Sequence, residues 1–130
     1  MDSKAVPNMI QIKLKRVYES EEAQDGFRIL VDKLWPRGVK KEALHFDLWA
    51  KDIAPSTGLR TWYHQDKENN WALFREKYID ELSHSTVLLK VLETLKDKPV
   101  VTLLFASKNA IENHALILKE YLEKELAEKN

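Results

Sequence analysis

The sequence contains no cysteine, and it has only three glycines and four prolines in 130 residues. The absence of cysteine excludes a disulfide framework, a cysteine nucleophile and cysteine-ligated zinc or iron–sulfur sites, and it fits a reducing compartment. Because glycine and proline are too scarce to form a linker, we expect a single domain over residues 10–127, preceded by a flexible segment over residues 1–9.

An excess of charge of either sign is also absent, because 21 Lys and Arg residues balance 21 Asp and Glu residues. Non-specific nucleic-acid binding needs a surplus of cations, so this class is disfavoured, although a local basic patch stays open. No apolar run reaches the roughly 20 residues of a membrane-spanning helix. Residues 1–9 also lack the apolar core of a signal peptide. We therefore expect a cytoplasmic protein with no membrane partner.

Motifs of the common cofactor and catalytic sites are missing as well. The three glycines, Gly26, Gly38 and Gly58, are too far apart to form a phosphate-binding loop. There is no Gly-x-Ser-x-Gly nucleophile elbow. The histidines show no His-x-x-x-His spacing, which disfavours a metal site. The sequence therefore supports neither a cofactor nor a metal.

Apolar patterning predicts four β-strands. Residues 10–17 alternate in polarity, which is typical of a strand with one buried face. Residues 27–34 have a continuously apolar centre, as expected of a strand buried on both faces. Residues 99–105 form the clearest buried strand, and residues 45–52 alternate again and form a weaker third candidate.

Four helices are predicted between and after these strands. Trp71, Phe74, Tyr78 and Leu82 recur at helical spacing. Strands separated by helices favour an α/β fold, in which a small, mostly parallel sheet of about four strands is flanked by helices in a three-layer α/β/α-like arrangement. The short connection between the first two strands leaves room for one antiparallel pairing. The predicted helices cover residues 58–63 after an N-cap at Ser56, 67–82, 87–95 and 110–127 after a capping box at Asn109 and Glu112, with a short helical turn over 40–43.

Ligands of open α/β sheets bind outside the carboxyl ends of the strands. The polar side chains that follow the predicted strands are therefore the candidate site. As catalytic candidates we select Asp32, Ser107 and His114, and as ligand-binding candidates Arg16, Tyr18, Trp35, Arg37, Lys51 and Asn113.

This set of residues suits a small anionic ligand. Arginine presents a planar fork to phosphate or carboxylate, and the start of the last helix offers free backbone N–H groups. Asp32 or His114 could move a proton, whereas Ser107 is a weaker nucleophile because no base is paired with it in the sequence.

Structural explanations of the same residues stay open. Asp32 could form an ion pair with Arg16, Arg28 or Arg37, and His114 could satisfy a buried carbonyl. The tryptophans are more typical of a core than of a platform for stacking bases.

Several segments resemble the YeaO-like family, and the stretch Val-Asp-Lys-Leu-Trp-Pro-Arg-Gly at residues 31–38 is the most specific of them. The resemblance covers about residues 10–122. It implies a small bacterial or archaeal cytosolic protein from a broader group of domains of unknown function, with no established activity. It also places Asp32, Arg37, Ser107 and His114 in family motifs. The remaining matching segments are residues 16–19, 25–30, 49–56, 59–62, 71–78, 101–108 and 113–115.

Relatives in that wider group carry cysteines in two of these segments, where this chain has Phe105 and Asn113. Thiol chemistry is therefore excluded here. Three functions stay open: a protein that binds a small phosphate- or carboxylate-bearing ligand, with hydrolase or transferase activity among the options; a non-catalytic interaction module; and a nucleic-acid-associated regulatory protein. Either a monomer or a homodimer is compatible with the sequence.

Overall fold

The computed structural model of the chain describes residues 10–109 and 112–128. Within these ranges, four parallel strands and four α-helices form one α/β domain, which confirms the predicted fold class. The predicted flexible segment over residues 1–9 lies outside the described residues. None of the helices in the described part is long and apolar enough to cross a membrane.

The sheet has the order β1-β4-β2-β3, with β4 and β2 at its centre. Each neighbouring pair is parallel, so the antiparallel pairing that the short first connection suggested is wrong. The reason is that β1 and β2 are not neighbours: β4, the most apolar strand, is inserted between them and is buried by both. The strands are β1 (Gln11–Arg16), β2 (Phe27–Leu30), β3 (Leu48–Trp49) and β4 (Val100–Phe105).

Side-chain oxygens cap three of the helices, and the cap at Ser56 is the one that was predicted. Ser56 accepts a hydrogen bond from the Leu59 N–H, and Asp66 and Ser85 cap the next two helices in the same way. Such caps satisfy N–H groups that have no partner within the helix. The helices are α1 (Thr57–Gln65), α2 (Lys67–Ser83), α3 (Thr86–Leu95) and α4 (His114–Glu128).

The last helix begins later than its capping box predicts. Asn109 Oδ1 does accept the Glu112 N–H at 2.8 Å, but Glu112 and Asn113 are not helical. The cap of α4 is Asn113, whose Oδ1 accepts the Leu116 N–H at 2.9 Å. The predicted start at residue 110 is therefore wrong, because Glu112 and Asn113 precede the first helical residue, His114; residues 110 and 111 themselves lie outside the described ranges.

The two faces of the sheet are covered differently. Alternate residues of β2 and β4, such as Ile29 and Leu103, pack against all four α-helices. Leu30 and Leu104 point to the other face, where the segment between β2 and β3 covers them with Trp35 and other apolar side chains. That segment contains the predicted turn as a 3-10 helix, Lys41–Ala43.

The third strand is much shorter than predicted. Only Leu48–Trp49 pairs with β2. On one side of it the Asp47 carboxylate accepts the Arg28 N–H at 2.8 Å, and on the other the chain turns into a 3-10 helix over Lys51–Ile53. The alternation over residues 45–52 therefore marked a half-buried edge segment rather than a full strand.

A buried ionic cluster joins β1, β2 and β4. Asp25 and Arg28 are 1% and 2% exposed and form an ion pair. Lys15 Nζ lies 2.8 Å from Asp25 Oδ1, and the Thr102 hydroxyl donates to the Asp25 carbonyl at 2.6 Å. Arg28 Nε also donates to the His45 carbonyl at 2.9 Å. Arg28 is thus committed to Asp25, which removes it as the partner suggested for Asp32.

Candidate functional site

A cleft of about 510 Å³ opens where β2 and β4 end. Asp32 and Ser107, which follow these two strands, line it together with residues from α1 and from the first turns of α2 and α4. This is the edge at which parallel α/β sheets bind ligands, and the volume lies within the range of small-molecule pockets.

Asp32 connects the ends of the two central strands. Its Oδ2 accepts the Ala106 N–H at 3.0 Å, and its backbone carbonyl accepts the Trp49 indole N–H at 2.8 Å. Its Oδ1 is buried, has no hydrogen-bond partner among the described residues and lies 3.3 Å from His114 Nε2. The Asp32 carboxylate therefore holds the ends of the two strands together at the floor of the cleft. One of its two oxygens accepts no hydrogen bond from the described residues.

His114 is the first residue of α4, and its ring stands on that floor. Nε2 lies 3.0 Å from the Val31 carbonyl, and a carbonyl can only accept, so Nε2 carries a proton. In the neutral ring Nδ1 is then the acceptor. The imidazole does satisfy a carbonyl, as the structural alternative proposed, while it also lines the cleft.

The cleft lining carries more positive than negative charge. Its two carboxylates belong to Asp32 and Glu112, whereas four Lys and Arg side chains line it. Within residues 10–109 and 112–128, none of these four cations forms a hydrogen bond or an ion pair. A chain with no net charge therefore has a locally basic cleft whose cations are uncompensated. The four are Lys33, Arg60, Lys67 and Lys108.

His64 is subject to the field of two of these cations. Partial burial lowers the pKa of His64 below its usual 6.5, and the positive charges of Lys67 and Arg60 lower it further. The neutral imidazole is therefore favoured at this position of the cleft.

We expect Lys67→Ala or Arg60→Ala to raise the pKa of His64, because each substitution removes a charge that opposes protonation. A pH titration of the His64 ring protons by NMR measures this directly. The ring of His84, at the opposite end of α2, should not respond to either substitution. An unchanged His64 titration in both variants would show that these cations do not act on the cleft.

Four of the nine residues selected from the sequence line this cleft: Asp32, Ser107, Asn113 and His114. The other five are not among the lining residues. Asn113 is 4% exposed, and besides its capping bond its amide donates to the Asn109 carbonyl at 2.8 Å. Its role in the structure is therefore that of a buried helix cap at the edge of the cleft.

Arg16 and Tyr18 are engaged within the fold instead. Arg16 donates from Nε and Nη2 to the Ser107 and Ala106 carbonyls, both at 2.9 Å, and its guanidinium lies 4.8 Å from the centre of the Tyr18 ring. The Tyr18 hydroxyl donates to the Arg37 carbonyl at 3.0 Å. These side chains hold loops together beside the cleft.

Trp35, Lys51 and Arg37 also lie outside the lining. The Trp35 indole donates to the Val39 carbonyl at 2.6 Å and packs edge-on against Trp49. The ammonium of Lys51 lies 5.0 Å from the centre of the Trp49 ring. The Arg37 side chain is exposed. The Trp35 indole, selected as a ligand-binding candidate, instead packs against the small apolar core on the other face of the sheet.

The cationic residues of the cleft were missed as a group. Arg60 and His64 are four residues apart, which places them on one side of α1, and Lys67 begins α2. Lys33 and Lys108 directly follow two residues that were selected. The sequence therefore carried part of the signal in the spacing of Arg60 and His64.

The lining does not contain a paired nucleophile and base. The Ser107 hydroxyl accepts the Asn109 N–H at 3.2 Å, and within the described ranges it has no hydrogen bond to a histidine or a carboxylate. Nor do the described residues bring three His, Asp or Glu side chains together in a group that could hold a metal ion. The arrangement is suited to holding an anion.

Comparison with known proteins gives a family and no activity. Residues 11–130 match the family described as the inactive DUF488-N3 subclade. The uncharacterised protein YeaO of Escherichia coli K12 is 46% identical over 113 residues, which cover 87% of this chain and 97% of that protein. The uncharacterised proteins Rv3073c of Mycobacterium tuberculosis and Mb3100c of Mycobacterium bovis are each 38% identical over 112 residues, covering 86% of this chain and 93% of theirs. No solved structure matches the chain.

Proposed function

The chain belongs to the YeaO-like family within the inactive DUF488-N3 subclade, and from that premise we propose that it binds a small phosphate- or carboxylate-bearing ligand without converting it. The observation that carries the proposal is the cleft beyond β2 and β4, where four uncompensated cations face two carboxylates. Uncompensated cations that share one concave site attract an anion, and arginine and lysine are the usual partners of phosphate and carboxylate groups.

Binding is favoured over conversion for two reasons. The subclade is described as inactive, and relatives with that description make an enzyme a weaker proposal for this chain. In addition, the Ser107 hydroxyl has no base beside it among the described residues. A hydroxyl without a base is a poor nucleophile at neutral pH.

A binding role is also favoured over a purely structural one. The side chains of Arg16, Tyr18 and Trp35 each donate a hydrogen bond to a backbone carbonyl. Such bonds are expected of an interaction module that is held together by polar contacts. The cleft cations have no such partners in the described structure. Four cations that share one cleft with only two lining carboxylates repel one another, which is a cost that a bound anion relieves.

The test is a thermal-shift and calorimetric titration with fructose 6-phosphate and with inorganic phosphate at 0.15 M salt. A ligand that binds only the folded state raises the melting temperature with its concentration. We expect Arg60→Ala combined with Lys67→Ala to weaken fructose 6-phosphate binding ~10-fold or more, because charge-assisted hydrogen bonds are lost.

Lys90→Ala combined with Lys124→Ala is the matched control, since both lysines are exposed and lie outside the cleft. It removes the same charge and should leave binding unchanged. Two results would refute a site in this cleft. The cleft variant could bind fructose 6-phosphate as tightly as the wild type, or the cleft variant and the control could lose affinity to the same extent.

A further inference from the structure

The four free cations of the cleft come from two different parts of the fold. Arg60 lies in α1 and Lys67 begins α2, so these two belong to the helical layer. Lys33 and Lys108 follow β2 and β4 and belong to the loops at the sheet edge. The cations therefore form two pairs, each on its own structural unit.

A single inorganic anion is too small for this arrangement. A phosphate ion occupies on the order of 100 Å³, given about 30 Å³ for one water molecule in the liquid. The cleft measures about 510 Å³. One phosphate bound to either pair would leave most of the cleft to solvent and the other pair without a counter-charge.

The two carboxylates of the lining differ in access. Asp32 Oδ1 is buried beside His114 Nε2, whereas the partly exposed Glu112 forms no ion pair among the described residues. Carboxylates repel additional negative charge and accept hydrogen bonds from hydroxyl groups. Acidic groups of a ligand are therefore directed to the cation pairs, and hydroxyl groups to Glu112.

Resting on the proposed function, we infer that the ligand is a small hydroxyl-bearing organic molecule with two separated anionic groups, one held by Arg60 and Lys67 and the other by Lys33 and Lys108. Joining two weakly bound groups in one molecule raises affinity well above that of either alone, because the second contact becomes intramolecular. The cleft thereby selects against compounds with one acidic group.

The experiment compares fructose 1,6-bisphosphate with fructose 6-phosphate by calorimetry at 0.15 M salt. We expect the bisphosphate to bind the wild type ~10-fold or more tightly than the monophosphate. Lys33→Ala combined with Lys108→Ala should abolish most of this advantage, and so should Arg60→Ala combined with Lys67→Ala. Lys108→Ala alone, at an exposed loop position, repeats the test with little risk to folding. The control pair Lys90→Ala and Lys124→Ala should keep the advantage.

The failures of the two proposals are distinguishable. Equal affinity for the two sugar phosphates, or an advantage that survives the loss of Lys33 and Lys108, would overturn the inference of two anionic groups while anion binding stands. Absence of binding by both sugars and by inorganic phosphate would overturn the proposed function itself and the inference with it.

Discussion

Gly26→Ala is expected to lower the free energy of unfolding by more than about 3 kcal/mol, through backbone strain and steric overlap together. Gly26 has φ 66° and ψ −133°, a conformation that residues with a side chain rarely adopt. A Cβ at this position would lie 2.4 Å from the Val100 carbonyl oxygen and 2.8 Å from Val100 Cβ. Val100 cannot retreat, because β4 is paired on both sides.

Gly38→Ala provides the matched control. Gly38 also has a positive φ, 78°, but an added Cβ would meet no atom within 4 Å. Its substitution should cost roughly 1 kcal/mol, from the strained conformation alone. Urea unfolding of the two variants separates the contributions of strain and of close approach. An equal loss of unfolding free energy in the two variants would mean that the close approach of Gly26 to β4 does not contribute to stability.

That contact explains why the sheet order could not be derived from the sequence. Residues 99–105 were correctly interpreted as a buried strand. Local patterns report whether a strand is buried, but they do not identify its neighbours. The insertion of β4 between β1 and β2 depends on a close approach between Gly26 and Val100, which are 74 positions apart in the chain.

Helices were more predictable because their signal is local. Phe74, Tyr78 and Leu82, which recur at helical spacing, are all buried on α2, and Ser56 caps α1 as expected. The start of α4 was the exception. Asn109 and Asn113 can both cap, and choosing between them requires knowing which turn packs against the sheet.

The candidate site was predictable in part for a similar reason. The rule that ligands bind beyond the strand ends selected Asp32, Ser107 and His114, which line one cleft. The rule does not say which way a loop side chain turns. Arg16 follows β1 closely but donates to the carbonyls at the end of β4. Arg60 was not selected because α1 was predicted from its N-cap at Ser56, which says nothing about the polar side of the helix.

Asp25→Ala should cause the second large loss, ~3–5 kcal/mol of unfolding free energy, because a buried ion pair is broken by removing one partner. Arg28 is 2% exposed and would keep its charge, and among the described residues the His45 carbonyl would be the acceptor left to its side chain. The Glu22 N–H, which donates to Asp25 Oδ2 at 3.0 Å, would lose its acceptor too. Glu22→Gln, which removes an exposed partner of Lys15, is the control and should cost far less.

The pH dependence of Asp25→Asn identifies the charge as the cause. Burial by itself would raise the pKa of Asp25, but hydrogen bonds from Lys15, the Glu22 N–H and Arg28 outweigh it and lower that pKa to about 2 from 3.8. A lowered folded-state pKa gives stability that is complete above 3.8 and is lost as pH falls towards 2. The wild type should therefore exceed Asp25→Asn in unfolding free energy at pH 7, and this difference should shrink between about pH 4 and pH 2. The other carboxylates titrate in both proteins and cancel in the difference, so a gap that stays constant down to pH 2 would contradict a stabilising charge on Asp25.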